Sequence, residues 1–265
     1  MTTTHLSGKW ALILGASSGF GAATARELAR SGMHIIGVHL DRRAAMAGVE
    51  ELVASLHASK VQALFFNVNA ADPVKRQEVL DQVQPKLGGA TISVLMHSLA
   101  FGTLKPYLTA DPKEQLTKDQ MEMTLDVMAN SLVYWVQDLV GRKLLGRGSR
   151  VFAMTSSGGS RVWPTYGAVS AAKAALESHV RQLAMELAPY GATANCIRAG
   201  VTDTPALRKI PGNEQMMEFA KIRNPYRRLT TPEDVAQAIA ILANSGADWV
   251  TGNVIGTDGG EDIVG

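Results

Sequence analysis

WALILGASSGFGAATARELAR, residues 10–30, decides what kind of fold this chain can adopt. The apolar run at 10–14 has the length of one strand, and 21–30 reads as an amphipathic helix. Between them stands GASSGFG, with glycines at 15, 19 and 21. This Gly-x-x-x-Gly-x-Gly spacing differs from the Gly-x-Gly-x-x-Gly dinucleotide fingerprint but meets the same physical needs. Gly15 permits a tight turn, Gly19 lets backbone approach a pyrophosphate, and Gly21 lets the helix lie close to the strand. The helix start then offers free N–H groups to phosphate oxygens. Glycine loops also serve as plain turns, and it is the position between a first strand and a first helix that points to a nucleotide.

Outward from this unit, short apolar runs alternate with helical patterns. Strands are expected at 10–14, 34–39, 61–66, 92–97, 150–155, 193–197 and 253–257. Amphipathic stretches lie at 21–30, 73–87, 121–140, 168–187 and 235–242. In the fourth, Val169, Ala172, Leu176, Val180, Leu183 and Leu187 fall at three- and four-residue steps and make one apolar face. Thr231-Pro232-Glu233-Asp234 is a helix start, with a cap, a proline at the first position and acids in the first turn. Such alternation implies an α/β fold: a single-domain, Rossmann-type, doubly wound parallel sheet of about seven strands with helices on both faces. No repeat or linker divides residues 1–265, so one domain is expected.

Bulk properties narrow the function classes. A formal charge of +2 with no Lys/Arg block argues against a nucleic-acid partner. MTTTHLSGKW lacks the layout of a leader, and no apolar run approaches the roughly 18 residues of a membrane span. A soluble, cytoplasmic protein is expected. The single cysteine, Cys196, excludes an internal disulfide and reads as a small buried hydrophobe. His5, His34, His57 and His179 show no ligand-like spacing, so no metal is expected. Met121, Met123 and Met128 read as core or pocket lining.

The chemistry is concentrated in YGAVSAAK, where Tyr166 and Lys173 are seven positions apart. Seven residues are almost two helical turns, so both side chains share a face. Together with the glycine loop, Asn67-Val68 after the third strand and VIGTDGG near the C-terminus, the pair resembles the short-chain dehydrogenase/reductase superfamily over essentially the whole chain. Most members of that superfamily have Tyr-x-x-x-Lys, which would put tyrosine at position 169; here it is Val169. Tyrosine six residues before the lysine is similar to the enoyl-acyl-carrier-protein reductases. MHSLAFG (96–102) and NPYRRLTTPEDV (224–235) resemble stretches of that branch, and the helix asparagine of the ketone and alcohol enzymes is replaced by Met128.

The wider spacing has a chemical rationale. In a ketone, the carbon that accepts hydride also bears the oxygen that needs a proton. In an enoyl thioester, hydride goes to the β-carbon while charge develops on the thioester oxygen two carbons away. Moving the phenol one turn, about 5 Å, along the helix reaches that oxygen and leaves the lysine in place.

The resemblance implies specific roles. Tyr166 would donate a hydrogen bond to the developing enolate oxygen, and Lys173 would hold the nicotinamide ribose. The cofactor would lie along Gly15, Ser17, Ser18, Gly19, Phe20 and Gly21, then Asn67 and Val68, then Ser98, Leu99 and Ala100. Gly200, Thr202 and Thr204, in AGVTDTPAL, would contact its nicotinamide end and phosphates; Val201 replaces the family's usual proline. The stretch 204–220 would cover the substrate. Ser156 stands where many relatives carry a further tyrosine. Thr155 and Ser156 are open to two readings, as hydrogen-bonding partners of substrate or nicotinamide and as strand-end turn residues.

Cofactor choice is read at the end of the second strand, in GVHLDRRAAM (37–46). His39 occupies the position where NADH-selective enzymes place a carboxylate, Asp41 follows two residues on, and Arg42 and Arg43 come next. Two cations and a histidine against one acid favour NADPH over NADH. From 198 to 228, seven Lys/Arg oppose three acids, a local charge of +4 that suits an acidic acyl carrier protein. A homotetramer is expected, with 121–140 and 168–187 at one interface. Three activities are in view: an NAD(P)H-dependent enoyl-thioester reductase acting in fatty-acid elongation, a short-chain carbonyl or alcohol oxidoreductase, and a nucleotide-binding protein without catalysis.

Overall fold

Trp10, Leu12 and Leu14 belong to one hydrophobic cluster and Ala11 and Ile13 to another, on opposite faces of a sheet. A strand covered on both faces needs no polar alternation, which is why this run is continuously apolar. The computed structural model describes residues 5–264. Residues 1–4, which open the N-terminal stretch read above, and Gly265 lie outside this range.

The strands are β1 (Trp10–Leu14), β2 (His34–His39), β3 (Ala63–Asn67), β4 (Ile92–His97), β5 (Arg150–Ser156), β6 (Thr193–Ala199) and β7 (Val254–Thr257). They form one parallel sheet in the order β3-β2-β1-β4-β5-β6-β7. The order reverses between β1 and β4, and ligands of such sheets bind outside the carboxyl ends of the strands at that point.

Helices α1 (Gly19–Arg30), α2 (Met46–Ala58) and α8 (Pro232–Ala243) cover one face. The other is covered by α3 (Pro73–Val83), α5 (Ser131–Gly141) and α6 (Gly167–Leu187). Two more helices, α4 (Lys118–Leu125) and α7 (Asn213–Arg223), complete the set used here. All six residues of the apolar face expected on α6 are buried. Thr231 caps α8 as a reciprocal box, its hydroxyl accepting from the Asp234 amide and Asp234 accepting from the Thr231 amide.

The structure corrects several bounds. β3 starts two residues later than expected, at Ala63; before it, Gln62 donates its amide to the His34 imidazole and accepts from the Ile35 amide. The helix expected over 73–87 gives way at Gln84 to a 3₁₀ turn containing Pro85. The helix expected over 121–140 is interrupted by a π-helical turn, Asp126–Asn130, between α4 and α5. Ser131 marks the end of that turn, bonding back to the Val127 carbonyl. Such turns are rare and often lie at functional sites. Helix α2, which the expected helices omitted, buries Val49, Leu52 and Leu56.

Candidate active site

At the carboxyl end of β1, the Gly15 and Ala16 amides both donate to the Val38 carbonyl, folding the loop back over β2. Gly15 has φ +88° and Gly19 φ +52°, a region that favours glycine. A side chain on Gly15 would collide with the Ser98 carbonyl, and one on Gly21 with the Gly15 carbonyl. Gly21 thus brings α1 close to β1, as its spacing implied. Ser18 makes no side-chain cap at α1, and no acid occupies its first turn. This helix start therefore suits an anion from outside, and the cradle fits a dinucleotide pyrophosphate. Among the described residues, no cluster of His, Cys, Asp or Glu could hold a metal ion.

Tyr166 immediately precedes α6 and Lys173 lies two turns along it. Lys173 is buried, and its ammonium donates to the Met154 carbonyl of β5 at 2.7 Å. Burial draws its pKa down to about 8, against weaker upward pulls from Cys196 and Glu177. Burial also raises the Tyr166 phenol, and its hydrogen bond with Ser156 opposes the rise. The phenol is thus a hydrogen-bond donor, not a phenolate, at neutral pH. Ser156 accepts from the Gly158 amide at 3.0 Å, which orients its hydroxyl beside the ring. A methyl on Gly158 would stand 2.5 Å from Tyr166 Cε1, so the glycine is what lets the ring sit there.

Thr155 does not face the same partners as Ser156. Its hydroxyl donates to Glu177 at 2.7 Å, one turn beyond Lys173 on α6. The strand-end pair divides its work, Ser156 toward Tyr166 and Thr155 toward Glu177. His97, fully buried at the end of β4, pairs with Ser131 at 2.9 Å. Burial, and secondarily Lys173, lowers its pKa to about 3, so it is a neutral structural imidazole. Cys196 is buried and its thiol is pushed up to about 12, mainly by burial, which makes it unreactive.

Thr155, Ser156, Tyr166 and Lys173 open on a largely apolar cavity of about 590 Å³. Of the residues assigned from sequence, it gathers Phe20, Ser98, Leu99, Ala100, Ser156, Tyr166, Lys173, Gly200, Thr202 and Thr204 in its wall. Met128, from the π turn, and Val169 line it as well. Gly15, Ser17, Ser18, Gly19 and Gly21 are not in that wall but lead away from it, Gly19 lying close to the Thr204 methyl. The cover differs slightly from the expected 204–220: a 3₁₀ turn at Leu207–Lys209 precedes α7, which runs on to Arg223. Trp163 donates to the Pro211 carbonyl at 3.0 Å and fastens the cover to the loop before Tyr166.

His39, Arg42, Arg43, Asn67 and Val68 form a separate group at the ends of β2 and β3. His39 is buried, with Nδ1 2.9 Å from an Asp41 oxygen. Asn67 clamps the Asp41 backbone, accepting from its amide and donating to its carbonyl. Val68 donates to the His39 carbonyl. Arg42 and Arg43 are exposed. The imidazole and the Asp41 carboxylate are therefore committed to each other, while Arg42 and Arg43 stand exposed beside them.

The basic segment is less positive than its count suggests. Arg208 pairs with Asp203, Lys221 with Glu218, Arg198 with Asp262 and Arg228 with Asp234. Asp262 and Asp234 come from outside the segment. Among the cavity residues that sequence reasoning did not assign are Arg161, Trp163, Arg223 and Glu261, the last a buried carboxylate after the second glycine of TDGG. Glu261 stands among Asp258 and Asp262, so nothing in the sequence set it apart from its acidic neighbours.

The profile of one protein family, described as Enoyl-(Acyl carrier protein) reductase, matches residues 15–261. The chain is 30% identical over 255 residues to a 1-cyclohexenylcarbonyl-CoA reductase of Streptomyces collinus, covering 96% of this chain and 86% of the relative. It is 31% identical over 267 residues to an enoyl-(acyl-carrier-protein) reductase (NADH) FabI of a Nostoc species, covering 98% and 99%. A 3-oxoacyl-(acyl-carrier-protein) reductase FabG of Thermotoga maritima is 31% identical over 256 residues, covering 97% and 98%. Among solved structures, the enoyl-(acyl-carrier-protein) reductase (NADH) of Aquifex aeolicus superposes with a TM-score of 0.85 at 24% identity, over 98% of both chains. A short chain dehydrogenase of Burkholderia cenocepacia in complex with NADP superposes at 0.82 with 26% identity, over 97% and 99%.

Proposed function

The chain belongs to the short-chain dehydrogenase/reductase family, in the group whose profile is described as Enoyl-(Acyl carrier protein) reductase; on that premise we propose that it reduces trans-2-enoyl thioesters with NADPH. An NAD(P)-dependent oxidoreductase is what the family membership itself establishes. The finer reading rests on one observation. The phenol at the cavity wall is that of Tyr166, while position 169 is a buried valine with no proton to give.

When bound, reduced nicotinamide supplies hydride to the β-carbon of the substrate. The rest falls to this chain. Tyr166, held as a neutral phenol by burial, donates a hydrogen bond to the thioester oxygen as charge develops on it. Ser156 lies beside the ring in the same wall. Lys173, its buried ammonium anchored by the Met154 carbonyl, would hold the ribose hydroxyls of the cofactor. The apolar wall of Met128 and Val169 excludes water from the acyl chain. The substrate is delivered on an acyl carrier protein or on coenzyme A, to a homotetramer. Support for the carrier is weaker than the charge count implied, since Arg198 and Arg228 are paired with Asp262 and Asp234 from outside the segment.

One observation favours a second reading, a carbonyl reductase: the Ser156 hydroxyl stands with Tyr166 in the cavity wall, where a second donor to a ketone oxygen would be needed. The deciding experiment is oxidation of NADPH and NADH with crotonyl-coenzyme A beside a panel of ketones and aldehydes. Enoyl turnover exceeding carbonyl turnover is expected. Robust ketone reduction with no enoyl turnover would overturn the proposal.

A further inference from the structure

Position 201 carries an N–H that a proline would lack. The Val201 amide donates to both carboxylate oxygens of Glu261, at 3.1 and 3.3 Å. Glu261 is only 8% exposed, yet it contributes to the cavity wall. Close approach is possible because residue 200 is glycine: a Cβ there would stand 2.9 Å from Glu261 Oε2 and would also collide with the Thr230 hydroxyl. Glu261 follows a turn held by Asp258, whose two carboxylate oxygens accept from the Gly260 and Asp262 amides. The same turn is tied to two other edges of the cavity. Arg223, at the end of α7, donates to the Glu261 and Val264 carbonyls at 3.2 and 2.8 Å. Arg161, in the loop before Tyr166, donates to the Asp262 carbonyl at 2.7 Å.

We propose that Glu261 is a positioning residue for cofactor binding: by accepting the Val201 amide it holds the backbone of residues 200–204 in the conformation that receives the nicotinamide end. This rests on the dinucleotide reading of the cavity given above. The physical basis is an exchange of one buried partner for another. A buried N–H without an acceptor is costly, and a carboxylate is among the strongest acceptors available. Burial raises the Glu261 pKa, and the bond from the Val201 amide opposes that rise. Through Arg223 the same turn ties the cover helix to this loop.

The test is a double-mutant cycle on binding, with NADPH and NADH each titrated by fluorescence and each assayed in steady state. Glu261→Leu and Val201→Pro remove the acceptor and the donor respectively. Each single change should raise the cofactor Kd and KM by ~tenfold, with kcat at saturating cofactor changed by less than about threefold. The double variant should be no worse than either single one, because no polar group is then left unpaired. Glu261→Gln, which keeps a carbonyl acceptor, should recover most of the affinity. It also keeps the test decisive if Glu261→Leu fails to fold. Independent, multiplicative effects of ~hundredfold in the double variant would overturn the inference. So would a fall in kcat with the cofactor KM unchanged. Failure of the parent to bind either dinucleotide would overturn the proposed function itself, and this inference with it.

Discussion

Gly102 lies directly over Val169: a methyl group on the glycine would stand 2.8 Å from Val169 Cγ2. It would be equally close to Thr124 Cγ2 and Met128 Sδ. The loop after β4 therefore closes the place where most of the superfamily carries its tyrosine, and the phenol of Tyr166 is left as the proton-bearing group of the helix start.

Gly102→Ala is accordingly expected to overpack this contact. Two of the three neighbours are β-branched and stiff, so relief is limited. Stability should fall by about 1–3 kcal/mol, read by urea unfolding. Adding Val169→Ala should recover part of that loss. An unchanged unfolding midpoint in Gly102→Ala would contradict the tight contact.

Tyr166→Phe removes one donor aimed at the developing oxyanion. Turnover of crotonyl-coenzyme A should drop by ~10²–10³ with the fold intact, as steady-state kinetics and circular dichroism would show. Val169→Tyr in that background should not restore activity, since the added ring has no room beneath Gly102.

Lys173 provides a pH signature. Its folded pKa of about 8 lies below the ordinary lysine value of 10.5. Between these two values the unfolded chain binds a proton the folded chain has released, so this residue makes stability rise with pH across that window. Below about 8 the cost of burying the ammonium is present in full. Lys173→Met should abolish that rise in denaturant titrations. The kcat/KM of the parent should decline as pH passes about 8 and the ammonium is lost.

His97 acts at the acid end. Its folded pKa of about 3 lies below the ordinary 6.5, so the unfolded chain takes up a proton first as pH falls. Stability should therefore decrease from about pH 6.5 down toward 3. His97→Gln should show a shallower acid limb of the unfolding midpoint, whatever its stability at neutral pH.

Arg42→Ala and Arg43→Ala test the cofactor reading. Loss of a charge-assisted bond to the 2′-phosphate should raise the NADPH KM by ~tenfold and leave NADH use nearly unchanged. Asp41→Asn should act in the opposite sense, improving NADPH relative to NADH. A parent that prefers NADH, with neither arginine change affecting NADPH, would show that Asp41 governs this end of the site.

The sheet and the glycine loop after its first strand were legible in the sequence because they depend on local, periodic features. Strand β1 and the glycines at 15, 19 and 21 express one strand–turn–helix unit, and the face of α6 repeats at helical steps. Tyr166 and Lys173 were legible for the same reason, since helix geometry converts their spacing into a shared face. Tertiary structure alone decided what meets across the sheet. The place of Met128 in the cavity wall, the clamping of Asp41 by Asn67 and the turn of Thr155 toward Glu177 depend on neighbours far away in the chain. So does Glu261, which lies 60 residues from the amide it accepts. Nothing in residue spacing encodes such a contact. It arises when β6 and β7 pair and set the two loops that follow them side by side.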